Sequence, residues 1–297
     1  MSATLIAVIA VLIAGQAMQS LPALRRFGWL VDWRRYIDGL SADADSATNG
    51  RLGLLLIVGL PVLLVGLLQF ALRDPLYGLP GFVFGLLLLF YCWGPRDLDL
   101  DVEAIVDAPD AERKRAAAAN LLPDNAAPAL DGHALVEGVF HCALRRWFGP
   151  LLWFLLFGAS GVLLYRLVAL LGSDDAHADA PPAQRDAARW LLAVLDWPAA
   201  QLMTLALALA ANFDAVFSAW RDWHAGGVRL DTGFLATAAR ASVDIEIADN
   251  DTDVPGGDAM AATPALLELR DAMSLVWRMM LLWLAVLALF VLARFIG

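Results

Sequence analysis

An all-α, polytopic membrane fold is what this sequence predicts, and three observations predict it. Hydrophobic residues fill 60 % of the 297 positions and charged residues only 18 %, a balance foreign to soluble globular domains. From Trp147 to Leu171 the run WFGPLLWFLLFGASGVLLYRLVALL carries a single charge, Arg166, and at about 1.5 Å per residue it is long enough for roughly 30 Å of hydrocarbon. Arg145 and Arg146 stand before that run and Asp174 and Asp175 follow it, which puts the arginine end in the cytoplasm. The expected architecture is one integral membrane domain over 1–297, with five to six spans and a helical cytoplasmic loop region.

Composition also excludes partners. Lys and Arg number 21 against 31 Asp and Glu, a net charge of −10, and Lys114 is the only lysine, so no basic surface for nucleic acid is available. Cys92 and Cys142 both fall near expected cytoplasmic ends of apolar runs and fit no zinc spacing, so free thiols are expected. No internal repeat of solenoid period is present.

Taken in order, residues 3–18 form a short apolar run without a basic leader, read as a retained first span, with a shallow anchor as the alternative. In LRRFGWLVDWRRY, Arg25, Arg26, Arg34 and Arg35 interleave with Trp29, Trp33 and Tyr36, the composition of a helix lying in the headgroup layer. Residues 52–72 and 76–93 are two apolar spans separated by Arg73, Asp74 and Pro75, hence an antiparallel hairpin, with a kink expected at Pro61 that a neighbouring helix must cover.

Residues 94–146 carry six basic residues and are assigned to the cytoplasm. They begin with Asp97, Asp99 and Asp101 alternating with Leu98, Leu100 and Val102. This period of two predicts an extended piece with its carboxylates on one face, either solvated or able to hold magnesium on a phosphate ligand. DAERKRAAAANLL, 110–122, reads as a helix stopped by Pro123.

From Gly132 a helix places His133, Glu137, His141 and Arg145 at intervals of four, one drifting polar stripe. Its two ends lie too far apart to share one ion, so no metal is assigned and no cofactor follows. After the acidic loop that ends the 147–171 span, residues 189–212 return to apolar composition but enclose Asp196, Pro198 and Gln201. Asp196 has two readings, an intramembrane functional group or the cap of a helix beginning at Pro198. FDAVFSAWRDW places its aromatics on one helical face, residues 224–262 are rich in glycine, alanine and aspartate with the stretch DIEIADNDTDVPGGD, 244–258, reading as a mobile acidic loop, and a helix entered at Thr263–Pro264 carries the last span, 275–293. Residues 213–274 are thus a second cytoplasmic helical and loop region.

The order of these features resembles the AmpE family of inner-membrane proteins that modulate β-lactamase induction, and more distantly the CobD/CbiB membrane enzymes of cobalamin assembly. The resemblance rests on Pro150, Trp153, Gly158, Gly161 and Tyr165 in the central run and on Leu195, Asp196, Trp197 and Leu202 in the next, and is strongest from Glu137 to Trp220. Relative to the cobalamin enzymes, Glu137 persists, His141, Cys142 and Arg145 stand at acidic and amide positions, and Gln201 replaces an arginine. The resemblance therefore implies a multi-pass protein of a bacterial inner membrane that modulates signalling linked to cell-wall recycling without catalysis. Its partners would be the bilayer and a small phosphorylated or cell-wall-derived ligand. The alternative is a divergent membrane enzyme acting on a phosphorylated or amide-containing metabolite. Either ligand would meet a polar pocket of Glu137, His141, Arg145, Arg166, Asp196 and Gln201. No phosphate-binding loop of the GxxxxGK[ST] type occurs.

Overall fold

The computed structural model describes residues 27–40, 47–73, 79–93, 98–122, 131–173, 180–227, 229–253 and 264–296, and among them it is helical, without strands. The expected span at 3–18, Arg25, Arg26, Asp97 and Thr263 lie outside the described residues. The chain forms two compact units, one from Met1–Pro95 with Gly149–Leu195 and the other from Arg96–Phe148 with Asp196–Gly297.

In the first unit α1 (Gly28–Leu40) turns Leu30, Arg34 and Ile37 inward, one helical stripe, and leaves Trp29 and Tyr36 exposed. Arg34 was expected among the headgroup-facing arginines. It is buried instead, 3.8 Å from Asp38 one turn on.

Helix α2 (Ala47–Ala71) runs straight through Pro61 in the chain, and the proline has no N–H to return to the Ile57 carbonyl. The indole N–H of Trp33 donates to that carbonyl at 3.2 Å, supplying the cover the sequence requires. Leu55, Leu56, Leu63, Leu64, Leu67 and Phe70 remain exposed along α2, an apolar surface fit for hydrocarbon rather than water.

Helix α3 (Leu79–Cys92) follows, and the close passage of Gly81 past the Leu72 backbone brings the ends of α2 and α3 together.

The central run departs most from expectation. It is not one helix: α7 (Gly149–Phe157) and α8 (Ala159–Gly172) meet at Gly158, whose φ of +69° is open to glycine and strained for other residues. Breaking a helix in an apolar setting strands backbone groups, and Gln69 of α2 takes them up. Its amide N–H donates to the Phe157 carbonyl at 3.3 Å and its Oε1 accepts from the Ser160 N–H at 3.1 Å. Gly161 then lies against the Trp153 carbonyl, so α8 crosses close to α7 where a side chain would not fit.

Helix α9 (Pro182–Ala210) begins in the first unit and ends in the second. The sequence suggested an interrupted span or a new helix at Pro198; the helix is continuous through Pro198, and Asp196 is therefore not its cap. The proline leaves the Val194 carbonyl without its helical donor, and the Trp153 indole donates to the neighbouring Leu195 carbonyl at 3.1 Å.

In the second unit α4 (Leu98–Val106) replaces the expected extended piece. Successive alternate residues on a helix point about 200° apart, so Asp99 and Asp101 face different partners instead of sharing a face. Asp110 caps α5 (Ala111–Ala118) by accepting from the Arg113 N–H at 2.8 Å, as its acidic start predicts.

Helix α6 (Gly132–Ala143) occupies the middle of this unit, packed by Leu135, Val136, Val139 and Phe140 against α11 (Gly233–Asp253) and α12 (Pro264–Ile296). Helix α10 (Phe213–His224) packs on α11. Helix α11 runs on to Asp253, which corrects the reading of 244–258 as a mobile loop over residues 244–253. Phe234, Leu235, Ala238, Ala239, Ser242 and Val243 are all buried at a helical spacing that the surrounding glycine and aspartate obscure. Residues 254–263 lie outside the described residues.

Among the described residues three helices are long and apolar enough to cross a membrane: Gly50–Ala71, Pro182–Ala210 and Ala265–Leu289. Helices α3 and α8, at 14 residues each, span only about 21 Å as straight helices, so the described residues do not establish five or six spans.

Candidate functional site

Between α6 and α7 the chain LRRWF, Leu144–Phe148, winds as a π-helical turn. Such a turn inserts extra rotation and re-aims the residues it carries. Here it sends two adjacent arginines to two different carboxylates. Arg145 Nε lies 3.4 Å from Asp196, whose side chain is 4 % exposed, while Arg146 pairs with the buried Asp101 and donates to the Asn120 carbonyl at 3.0 Å. Trp147 packs on Trp277 with ring centres 5.3 Å apart, and the Trp277 indole donates to Asp99 at 2.9 Å. Asp99 and Asp101 thus tie helices together instead of presenting a carboxylate face.

Of the six residues expected to form one polar pocket, Arg145 pairs with Asp196 and Glu137 shares a cavity with His141, while Gln201 and Arg166 meet other partners. Glu137 lies 3.2 Å from Arg240 of α11, a half-exposed pair worth little in stability. Gln201 accepts from the Trp220 indole at 2.8 Å and lies 3.4 Å from the His224 ring, fastening α10 to α9. Trp197, Pro198 and Leu202 complete an apolar groove there. Arg166 belongs to the first unit, where its guanidinium stands 5.8 Å from the centre of the Phe27 ring. Glu137 and His141 line one cavity, of about 310 Å³, walled by Leu122, Phe140, Leu144 and Leu235. Among the described residues no three His, Cys, Asp or Glu side chains gather as a metal-binding set.

His141 differs from the other candidates in having no hydrogen-bond partner for its ring among the described residues. Burial, reinforced by the nearby charges of Arg145 and Arg146, holds its imidazole down at about 3. Burial also pushes the Cys142 thiol above its ordinary range, which keeps it an inert core group. Because the unfolded chain takes up the His141 proton near pH 6.5 and the native protein does not, this group favours the native state fully above pH 6.5 and progressively less as pH falls toward 3. Between pH 6.5 and 5 the loss is about 2 kcal/mol. Thermal unfolding of a His141→Gln variant should therefore fall less steeply over that interval than wild type, and an equal slope would refute the shift.

Sequence reasoning passed over Gln69 and the π-helical turn. A lone amide inside an apolar span was the available signal for the first, since burying it requires partners. The second left no local signal, because LRRWF is compatible with an ordinary helix.

Comparison of the chain with protein-family models, curated proteins and solved structures finds no match. Fold and composition define the class: a protein that is all-helical among the described residues, where three helices are long and apolar enough to lie across a lipid bilayer.

Proposed function

We propose that this is a multi-pass protein of a bacterial inner membrane that modulates β-lactamase induction in step with cell-wall recycling, as its AmpE-like order of features implies. It acts by binding and conformational signalling rather than by transforming a substrate. The observation that best supports this is the engagement of Asp196. As an ionisable residue on an apolar helix it is the leading candidate for chemistry, yet it is held by Arg145. With a cation against it the carboxylate has its charge answered, and Asp196 serves as a structural link between α9 and the π-helical turn.

The alternative, a CobD/CbiB-like enzyme on a phosphorylated or amide-containing metabolite, draws support only from the shared cavity of Glu137 and His141. Deletion of the gene should alter β-lactamase induction and the muropeptide profile, with restoration by the wild-type chain. An unchanged induction curve and unchanged muropeptides would sink the regulatory reading. A metabolite whose conversion depends on Glu137 would put the enzyme in its place.

A further inference from the structure

We infer that the cavity between α6 and the start of α11 is a binding site for a small, mainly apolar molecule bearing one uncharged hydrogen-bonding group, such as a hydroxyl or amide, which His141 holds. This rests on the reading of the chain as a binding rather than catalytic protein and names the ligand class. At about 310 Å³ the cavity stands at the small end of ordinary ligand pockets. Its walls are Leu122, Phe140, Leu144 and Leu235, which favour an apolar body.

The polar groups decide the rest. Glu137 is engaged by Arg240, so its charge is already answered and exerts little pull on a cationic ligand. Arg145 and Arg146 are both held by carboxylates, at Asp196 and Asp101, so neither is free to recruit an anion. What remain are Thr232, whose hydroxyl is uncharged, and the His141 ring, which lines the cavity and has no partner among the described residues. A neutral imidazole has one N–H donor and one acceptor nitrogen. The residue is part-exposed, so a molecule that fills the cavity takes water away from these groups and answers them with a hydroxyl or amide of its own. A charged ligand group would instead be desolvated without a counter-ion.

The test uses the full chain in detergent with ¹³C-labelled histidine. Four histidines are present, so the His141 ring signal is assignable from the His141→Gln spectrum. The probes are 4-fluorophenol and fluorobenzene, alike in shape and differing in one hydroxyl. We expect a saturable shift of the His141 signal with 4-fluorophenol and at least tenfold weaker binding of fluorobenzene. Filling the cavity by Ala236→Trp, or by the milder Ala134→Leu if the first does not fold, should abolish the shift. No saturable shift in the wild type, equal affinity for both probes, or a shift that survives filling would each overturn the proposal. Such a failure removes the cavity as a ligand site and leaves the deletion phenotype to decide the regulatory reading separately.

Discussion

Replacing Arg146 with leucine lowers stability by about 3–5 kcal/mol, the cost of leaving a buried carboxylate without its cation. The side chains of Arg146 and Asp101 are 14 % and 9 % exposed, and Arg146 also donates to the part-buried Asn120 carbonyl, so a buried carboxylate loses its cation and a carbonyl loses one donor at once. The double variant Asp101→Leu with Arg146→Leu should recover much of the loss, because it removes both charges together. Thermal or chemical unfolding in detergent checks this: additive losses would mean that the two residues act independently. The same variants bear on function, since Arg146 shares the π-helical turn with Arg145 and any loosening of that turn also reaches Asp196.

Gly161→Ala is expected to be nearly as damaging, at about 3 kcal/mol. A Cβ at this position would overlap the Trp153 carbonyl and crowd the Phe157 Cβ, and backbone atoms cannot rotate aside as a long side chain can. Gly53→Ala in α2 is the control, for there the nearest atom is the flexible Gln184 amide at 3.6 Å and the helix gains propensity. Comparing the fraction of folded protein after heating separates the two positions. Equal stability of the Gly161 and Gly53 variants would show that α7 and α8 do not approach closely at the break.

Much of the architecture was legible along the chain. Apolar runs at 52–72, 189–212 and 275–293 announced three helices of membrane-crossing length, found at Gly50–Ala71, Pro182–Ala210 and Ala265–Leu289, Pro61 announced a carbonyl in need of cover, and Asp110 announced a helix start. The candidate site was less so. Intervals of four put Glu137 and His141 on one helix, where they line one cavity, while the polar pocket drawn beside the family resemblance also took in Gln201, which lines a different groove, and Arg166, which lies in the first unit. Alternation at Asp99 and Asp101 misled because a short apolar and acidic alternation is consistent with a strand or with a helix whose two faces are both covered. Here Arg146 and Trp277 cover them.

Class, helix content and the demand for backbone partners come from local properties: hydrophobic run length, the 3.6-residue period and the chemistry of proline and glycine. Residue by residue, these can be read from neighbours in the chain. The identity of the partners comes from positions far apart. Gln69 meets Phe157 across 88 residues, and Trp277 meets Asp99 across 178. Local sequence states that a stranded carbonyl or a buried carboxylate must be satisfied, because leaving it unmet in an apolar medium is costly. Only the packing of helices brings one particular donor within reach of it, and packing depends on the shape of every side chain at the interface.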